Sequence, residues 1–284
     1  MDLDWIKKIG NLSRMEMLHL VRSTKMIILA VFLIFINIQV IAPLRRLSIL
    51  MESKVSLLEP FAAIGNSGII VLIMPLFFLT MMADFPREGN SQYFYQVRCS
   101  KRTWIAGQIL YAVESSIALT GFVFASSCML SLDFTNQSLD YSYAVTRYVA
   151  TFPERAGEYV VQLVPENLYN QSVLSKAIFH TVMLLISYFL MLALIMLVFS
   201  LIKKKIIGIL LDAFLIILGV ITCAAKATFM WIFPMAHTII WMHYEKYQSK
   251  QVLPLFYSYL YFGVIDLALI VLSIVMNRRY NNIG

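Results

Sequence analysis

The sequence predicts an all-α polytopic membrane protein with six transmembrane helices. Of its 284 residues, 60% are hydrophobic and 14% are charged, and the mean hydropathy is +0.76. Soluble domains have about 25% charged residues, and their cores are too small to bury this much apolar surface. In addition, six stretches are close to the ~20 apolar residues that a helix needs to cross a bilayer. The composition excludes a soluble enzyme, a disordered chain and a nucleic-acid-binding protein.

The connection between the fourth and fifth predicted spans is very short, and the one between the third and fourth is the longest. They are Met26–Ala42, Phe61–Ala83, Ile105–Leu130, Phe179–Ile202, Ile206–Ala225 and Leu253–Met276. Residues 1–25 precede the first span, and on a helical wheel Trp5, Ile9 and Leu12 share one face while the lysines share the other. This pattern predicts an interfacial helix on the cytosolic leaflet. It acts either as an anchor or as a link that passes motion from a cytosolic partner to the first span.

The distribution of basic residues predicts that both termini are cytoplasmic. With the termini inside, 14 Lys and Arg residues lie in cytosolic segments and nine lie outside. Cytosolic segments retain basic residues, so this bias accounts for the net charge of +7 without a nucleic-acid partner. Arg45 and Arg46 are exceptions to this bias, because they follow the first predicted span in a segment that this topology places outside. We therefore expect a multi-pass protein of a bacterial cell membrane, with residues 131–178 as an external loop that has some structure of its own.

The cytosolic segment between spans two and three combines three features. Pro86 and Gly89 interrupt the helix, and an apolar patch containing Tyr93 and Phe94 follows. A basic cluster ends the segment: Arg98, Lys101 and Arg102, with Trp104 close behind. We predict a short helix lying under the membrane. The alternative is that the basic residues contact lipid phosphates and only set the topology.

This segment resembles the permeases of ABC exporters of the type 2 family. The matching residues are Glu88, Gly89, Ser100, Lys101, Arg102, Trp104 and Gly107. The six spans and the N-terminal helix also agree with that family. The aromatic region Trp231–Tyr247, which contains Phe233-Pro234, is similar to the re-entrant external hairpin of these permeases.

The resemblance implies a function and partners. The segment would be the coupling helix, formed by Glu88, Gly89, Tyr93, Phe94, Arg98, Lys101, Arg102 and Trp104. It would dock in a separate cytosolic ATP-binding subunit, and the permease would pair with a second copy or a sister permease among membrane lipids. The chain itself contains no G-x-x-x-x-G-K-[ST] loop and no metal-ligand spacing. We therefore expect no catalytic residue, cofactor or metal in this chain, with ATP and Mg²⁺ bound by the partner.

Three acidic residues lie inside predicted spans: Glu114, Asp212 and Asp266. A charged side chain at the bilayer centre costs at least about 2.5–3.5 kcal/mol, so such residues face the protein interior or water. They either line a translocation path for a hydrophobic or amphipathic peptide, lipid or drug, or bond to groups such as Ser115, Ser116 or Asn37. Two other functions stay open: a secondary transporter that uses these carboxylates, and a non-transporting immunity or scaffold protein.

Overall fold

The structure is a computed structural model that describes residues 3–87, 99–245 and 251–280. Five helices are long and apolar enough to cross a membrane: Met26–Leu50, Lys101–Ser131, Leu174–Leu201, Lys205–Ala224 and Leu255–Arg278. A bent pair, Glu59–Asn66 with Ile70–Met82, adds a sixth if it is counted as one span. The prediction of a helical, multi-pass membrane protein is confirmed at this level.

The first span is longer than predicted. Helix α1 (Leu3–Arg22) precedes α2 (Met26–Ile36), a π-helical turn (Asn37–Ile41) and α3 (Ala42–Leu50), and the last three form one continuous helix. Pro43 lies in the first turn of α3, where its missing N–H is accommodated by the wider turn before it. The helix therefore continues eight residues beyond Ala42 and includes both arginines. Arg45 forms an ion pair with Asp133, 2.9 Å between Nη2 and Oδ2, which accounts for one basic exception.

The second predicted span, Phe61–Ala83, is divided. Helix α4 (Glu59–Asn66) and helix α5 (Gly68–Met82) meet at Ser67, whose backbone is extended, and the pair is bent by 81°. All eight residues of α4 are buried. The hydropathy pattern missed this break because Asn66-Ser67-Gly68 is a short polar interruption in an otherwise apolar run.

The predicted external loop is folded, as expected. After α6 (Lys101–Ser131), strand β2 (Thr135–Asn136) pairs in parallel with β1 (Val55–Ser56), which precedes α4. Three short helices follow, namely α7 (Tyr143–Thr151), α8 (Tyr159–Leu163) and α9 (Glu166–Gln171), with a 3₁₀ turn at Pro153–Arg155.

Helix α10 (Leu174–Leu201) is the centre of the bundle. It packs against α6, α11 (Lys205–Ala224) and α13 (Leu255–Tyr280), and every residue from Met191 to Val198 is buried. Helices α10 and α11 are joined by a turn of three residues and pack side by side, as their short connection predicts. Gly208 allows the close approach, because a Cβ there would lie 2.7 Å from the Cβ of Phe199.

A compact hairpin precedes the last span. It consists of a 3₁₀ turn (Thr228–Ile232), helix α12 (Pro234–Thr238) and a second 3₁₀ turn (Ile240–His243). All five residues of α12 are buried. It corresponds to the aromatic region Trp231–Tyr247, whose last two residues lie outside the described ranges.

Side-chain contacts define two ends of the bundle. At one end Lys25 pairs with Asp84, Lys205 donates to the Pro86 carbonyl, and Asn277 donates to the Lys101 carbonyl. We call this the Lys25 end. The opposite end carries β1, β2 and α7 around Glu59, and we call it the Glu59 end.

Candidate functional site

The predicted coupling segment is only partly described. Glu88, Gly89, Tyr93, Phe94 and Arg98 lie outside the described residues. The other three predicted members, Lys101, Arg102 and Trp104, form the first turn of α6 at the Lys25 end.

Ser100 sets the start of α6. Its Oγ accepts a hydrogen bond from the Thr103 backbone N–H at 3.2 Å, which is a typical N-cap. Lys101 and Arg102 are exposed in the first turn, while Trp104 is only 2% exposed. Cations near a helix N-terminus oppose the helix dipole, so helix stability does not account for this basic pair.

The start of α6 is held by α1 and α13. A Cβ on Gly107 would lie 3.0 Å from the Cβ of Leu12, so α1 lies directly against α6. Asn277, near the end of α13, donates to the Lys101 carbonyl at 3.0 Å. A displacement of the first turn of α6 would therefore act on two other helices.

Glu114 lies at the contact between α1 and α6. Ser13 Oγ donates to Glu114 Oε2 at 2.5 Å, and the glutamate is half-buried. The nearby serines that the sequence suggested as partners bond elsewhere, because the hydroxyls of Ser115 and Ser116 both donate to the Ala112 carbonyl. Of the two sequence-based interpretations, the hydrogen-bonding one has a partner in the structure, and that partner is 101 residues away.

Asp212 and Asp266 lie in the bundle interior, where some of their carboxyl oxygens have no hydrogen-bond partner in the described chain. Asp212 is completely buried and neither carboxyl oxygen has a hydrogen-bond partner in the described chain; the same holds for Asp266 Oδ1. The hydroxyl of Tyr188, on α10, is also buried without a partner there. The Tyr188 ring is 6.2 Å from that of Phe262, one turn before Asp266. Buried polar groups normally have partners, so these orphaned atoms are the feature to explain.

The structure does not bring the three acids together as one centre. Within the described ranges, no group of three His, Cys, Asp or Glu side chains could hold a metal ion. Glu114 is held by α1, whereas the two aspartates lie on α11 and α13.

Sequence reasoning missed Glu59, which organises the Glu59 end. Its carboxylate is fully buried and accepts two backbone hydrogen bonds, from Ser56 N–H at 2.8 Å and from Ser142 N–H at 2.6 Å. Through these two hydrogen bonds it holds β1 and the start of α7 against the start of α4. The Glu-Pro pair at positions 59–60 would have predicted a helix start, but not the buried contacts.

Asn66 was also missed, and it lies at the break between α4 and α5. Its Nδ2 donates to the Ala62 carbonyl at 2.9 Å and to Thr181 Oγ1 at 3.3 Å, while its Oδ1 accepts from the Ile240 N–H at 2.8 Å. The indole of Trp241 donates to the Asn66 carbonyl at 2.8 Å. One residue therefore joins the broken helix, α10 and the hairpin.

The hairpin is secured to α13 by two buried histidines, which sequence spacing left without a role. His237 Nε2 lies 2.8 Å from the Trp231 carbonyl and must donate to it, so Nδ1 accepts from Ser258 Oγ at 2.8 Å. His243 Nδ1 donates to the Leu253 carbonyl at 2.8 Å. These bonds satisfy the rings internally and indicate a structural role.

Comparison of the chain with protein-family models, curated proteins and solved structures gives no match.

Proposed function

We propose that this chain is the membrane-spanning permease subunit of an ATP-driven exporter of the type 2 ABC kind. The observation that carries the proposal is the start of α6. Ser100 caps the helix and Trp104 and Gly107 pack inward, while Lys101 and Arg102 are exposed at a position that the helix dipole disfavours. A docking surface for a cytosolic partner accounts for this arrangement.

Contacts at the two ends support six crossings. Glu59, at the start of α4, bonds to residues of the Glu59 end, and Lys25 Nζ donates to the Met81 carbonyl near the end of α5 at 3.2 Å. In this proposal the bent pair, which contacts both ends, counts as one passage. With five further spans, both termini would fall on the same side. That side carries the basic residues of the Lys25 end, as expected for the cytosol.

In this proposal the partner subunit binds ATP and Mg²⁺ and carries out hydrolysis. Its closure would displace the coupling segment, and the start of α6 would transmit the motion to α1 and α13 through Gly107 and Asn277. A second copy or a sister permease would complete the path for a hydrophobic or amphipathic substrate. Helices that pack with two discrete arrangements are a common means of such switching.

Reversal of the exposed charges tests the coupling. The variant is Lys101→Glu with Arg102→Glu, expressed in the organism that encodes the chain and purified through a tag on this chain. We expect at least ~10-fold less co-purified ATP-binding subunit, because like charges across an interface cost several kcal/mol. ATP hydrolysis by the purified complex should fall in parallel.

The matched control reverses two exposed arginines away from the Lys25 end, Arg46→Glu with Arg147→Glu. This variant should retain the partner, and both variants should insert normally. Normal partner recovery and hydrolysis with both Lys101 and Arg102 reversed would contradict the proposal, as would the absence of any ATP-binding subunit from the wild-type preparation.

One observation favours the secondary-transporter alternative: the orphaned oxygens of Asp212. A buried carboxyl without donors is suited to exchanging a proton during transport. The test uses proteoliposomes that contain this chain alone, an imposed pH gradient and a hydrophobic fluorescent dye. Gradient-driven dye movement that is abolished by Asp212→Asn would favour this alternative, whereas the exporter proposal expects no movement without the ATP-binding subunit.

A further inference from the structure

A cavity of about 370 Å³ lies where the helix break, α11 and the hairpin meet. The first turn of α5 forms one wall, the last turn of α11 another, and the hairpin and α8 complete it. Its volume falls within the range of about 300–1,000 Å³ that is typical of small-molecule sites. The cavity lining includes none of the described residues of the coupling segment, and it includes none of Glu114, Asp212 and Asp266.

Most of the cavity wall is apolar. Leu72, Val220, Met235, Ile239 and the ring of Trp241 line it. Such a surface favours a hydrocarbon chain, since burial of each methylene contributes about 0.8 kcal/mol.

The remaining wall is polar, and its formal charge is positive. Among the described residues that line the cavity, Lys226 is the only charged one and none is acidic. It forms no ion pair within the described part of the chain. Gln162 and Tyr159 also line the cavity. This wall complements a negatively charged group.

The helix break adds to that complementarity. Ser67 is the N-cap of α5 and makes no side-chain cap bond. The first N–H groups of a helix have no intrahelical partner, so an anion can accept from them. The positive end of the helix dipole lies at the same cavity wall, because Ser67 and Gly68 both line it.

We propose that this cavity binds an amphipathic anion, with a single hydrocarbon chain against the apolar wall and a phosphate or carboxylate head beside Lys226. The chain alone forms this cavity, so the inference is independent of coupling to an ATP-binding subunit. A cationic ligand would find no acidic side chain among the described lining residues. A neutral amphiphile would form no ion pair with Lys226.

The chain contains a natural reporter of occupancy, because Cys223 lines the cavity. With Cys99→Ser and Cys128→Ser, Cys223 is the only remaining thiol. The measurement is the rate of its alkylation by a maleimide in neutral detergent. We expect lysophosphatidic acid or oleate to slow the reaction at least ~5-fold, and native mass spectrometry should count one bound molecule per chain.

Two comparisons separate the sources of the effect. Monoacylglycerol with the same chain length and inorganic phosphate alone should each leave the rate within about twofold of the unliganded value. Lys226→Gln should remove most of the protection, whereas Lys176→Gln, which alters an exposed lysine outside the cavity, should retain it. A chain with Cys128 as its only thiol should react at the same rate with and without the anion.

Three results would overturn the proposal. Equal protection by monoacylglycerol would mean that no anion is recognised, and protection by phosphate alone would mean a free-anion site. Absence of protection together with absence of bound lipid in the mass spectrum would exclude the site. Ala224→Phe, which places a ring in the cavity wall, provides a second variant and should displace the bound anion even if Lys226→Gln proves unstable.

Discussion

The bent pair α4–α5 is held at its two ends by polar contacts of different kinds. At the Lys25 end, the Lys25–Asp84 pair joins α2 to the end of α5, and the Asp84 side chain is 73% exposed. At the Glu59 end, Glu59 and Asn66 are at most 1% exposed, and each uses its polar side-chain atoms in hydrogen bonds. Exposed ion pairs contribute about 0–1 kcal/mol, whereas leaving a buried polar group without its partner costs about 1–3 kcal/mol.

This difference separates a fixed end from an exchangeable one. Contacts that water can replace allow elements to part and meet again at low cost. Contacts buried between elements make separation expensive. The proposed coupling surface lies at the exchangeable end, and the helix break and the proposed anion cavity lie within the fixed part.

The largest expected effect is at Asn66. Asn66→Ala removes the acceptor of the buried Ile240 N–H and the two bonds of its amide, so we expect a loss of about 2–4 kcal/mol. Thermal unfolding in detergent measures the loss, and hydrogen exchange should rise in peptides that cover Ile240. The matched control is Asn167→Ala, since the half-buried Asn167 donates to the Tyr244 carbonyl, directly after the hairpin, at only 3.5 Å. Equal effects of the two substitutions would contradict the distinction between buried and exchangeable contacts.

Glu59 should give a smaller and more local effect. Glu59→Ala leaves the N–H groups of Ser56 and Ser142 without their acceptor, but the segment that carries Ser142 can detach and bond to water. We therefore expect a loss of about 1–3 kcal/mol that is concentrated in residues 131–173. Glu59→Gln retains one acceptor and should lose less. Limited proteolysis should cleave this segment slowest in the wild type, faster in the Gln variant and fastest in the Ala variant. Unchanged cleavage in both variants would show that Glu59 does not hold this segment in place.

The contact between α1 and α6 should rank third. Gly107→Val forces the added methyl groups against Leu12, and overpacking costs about 1–3 kcal/mol. Leu12→Ala in the same chain should recover part of the loss by making room. Gly121→Val is the control within the same helix, because a Cβ at Gly121 would meet nothing within 4 Å. Equal melting temperatures for the two Gly→Val variants would show that α1 does not pack against α6 in the membrane.

The fold was predictable where one physical signal dominates. An apolar run of about 20 residues is sufficient to identify a span, so four spans were located to within a few residues. The first span was predicted too short because Pro43 and Arg45 resemble a helix end, whereas a π-helical turn and the Asp133 carboxylate accommodate them. The break at Ser67 was missed because three small or polar residues barely change the mean hydropathy of the surrounding window.

The residues of the candidate site divide in the same way. Lys101 and Arg102 were identified because charge next to a span is visible in the sequence. Glu59 was not, because its partners are backbone N–H groups, one of them 83 residues away, and a backbone group has no residue-type signature. Glu114 was identified as unusual, but its partner Ser13 lies on a helix that the sequence assigned to the membrane surface.

The smallest expected effect, and the one with a defined pH dependence, is at the Lys25–Asp84 pair. The hydrogen bond from Lys25 lowers the pKa of Asp84 below its usual value, and partial burial opposes that shift. Because the folded state binds its proton less readily than the unfolded state, the stabilisation is present above the unfolded pKa of about 3.9 and is lost as the pH falls through the lower, folded pKa. Asp84→Asn should therefore lower stability by at most about 1 kcal/mol at neutral pH. The difference from wild type should decline as the pH falls below about 4 and vanish once the pH is below the folded pKa of Asp84. Salt should reduce the difference as well, since exposed charges are screened.

Asp140→Asn, which removes an exposed carboxylate at the Glu59 end, should show neither dependence. A larger, salt-independent loss at Asp84 would mean that the Lys25 end is as fixed as the Glu59 end, and that the contrast between the two ends is wrong.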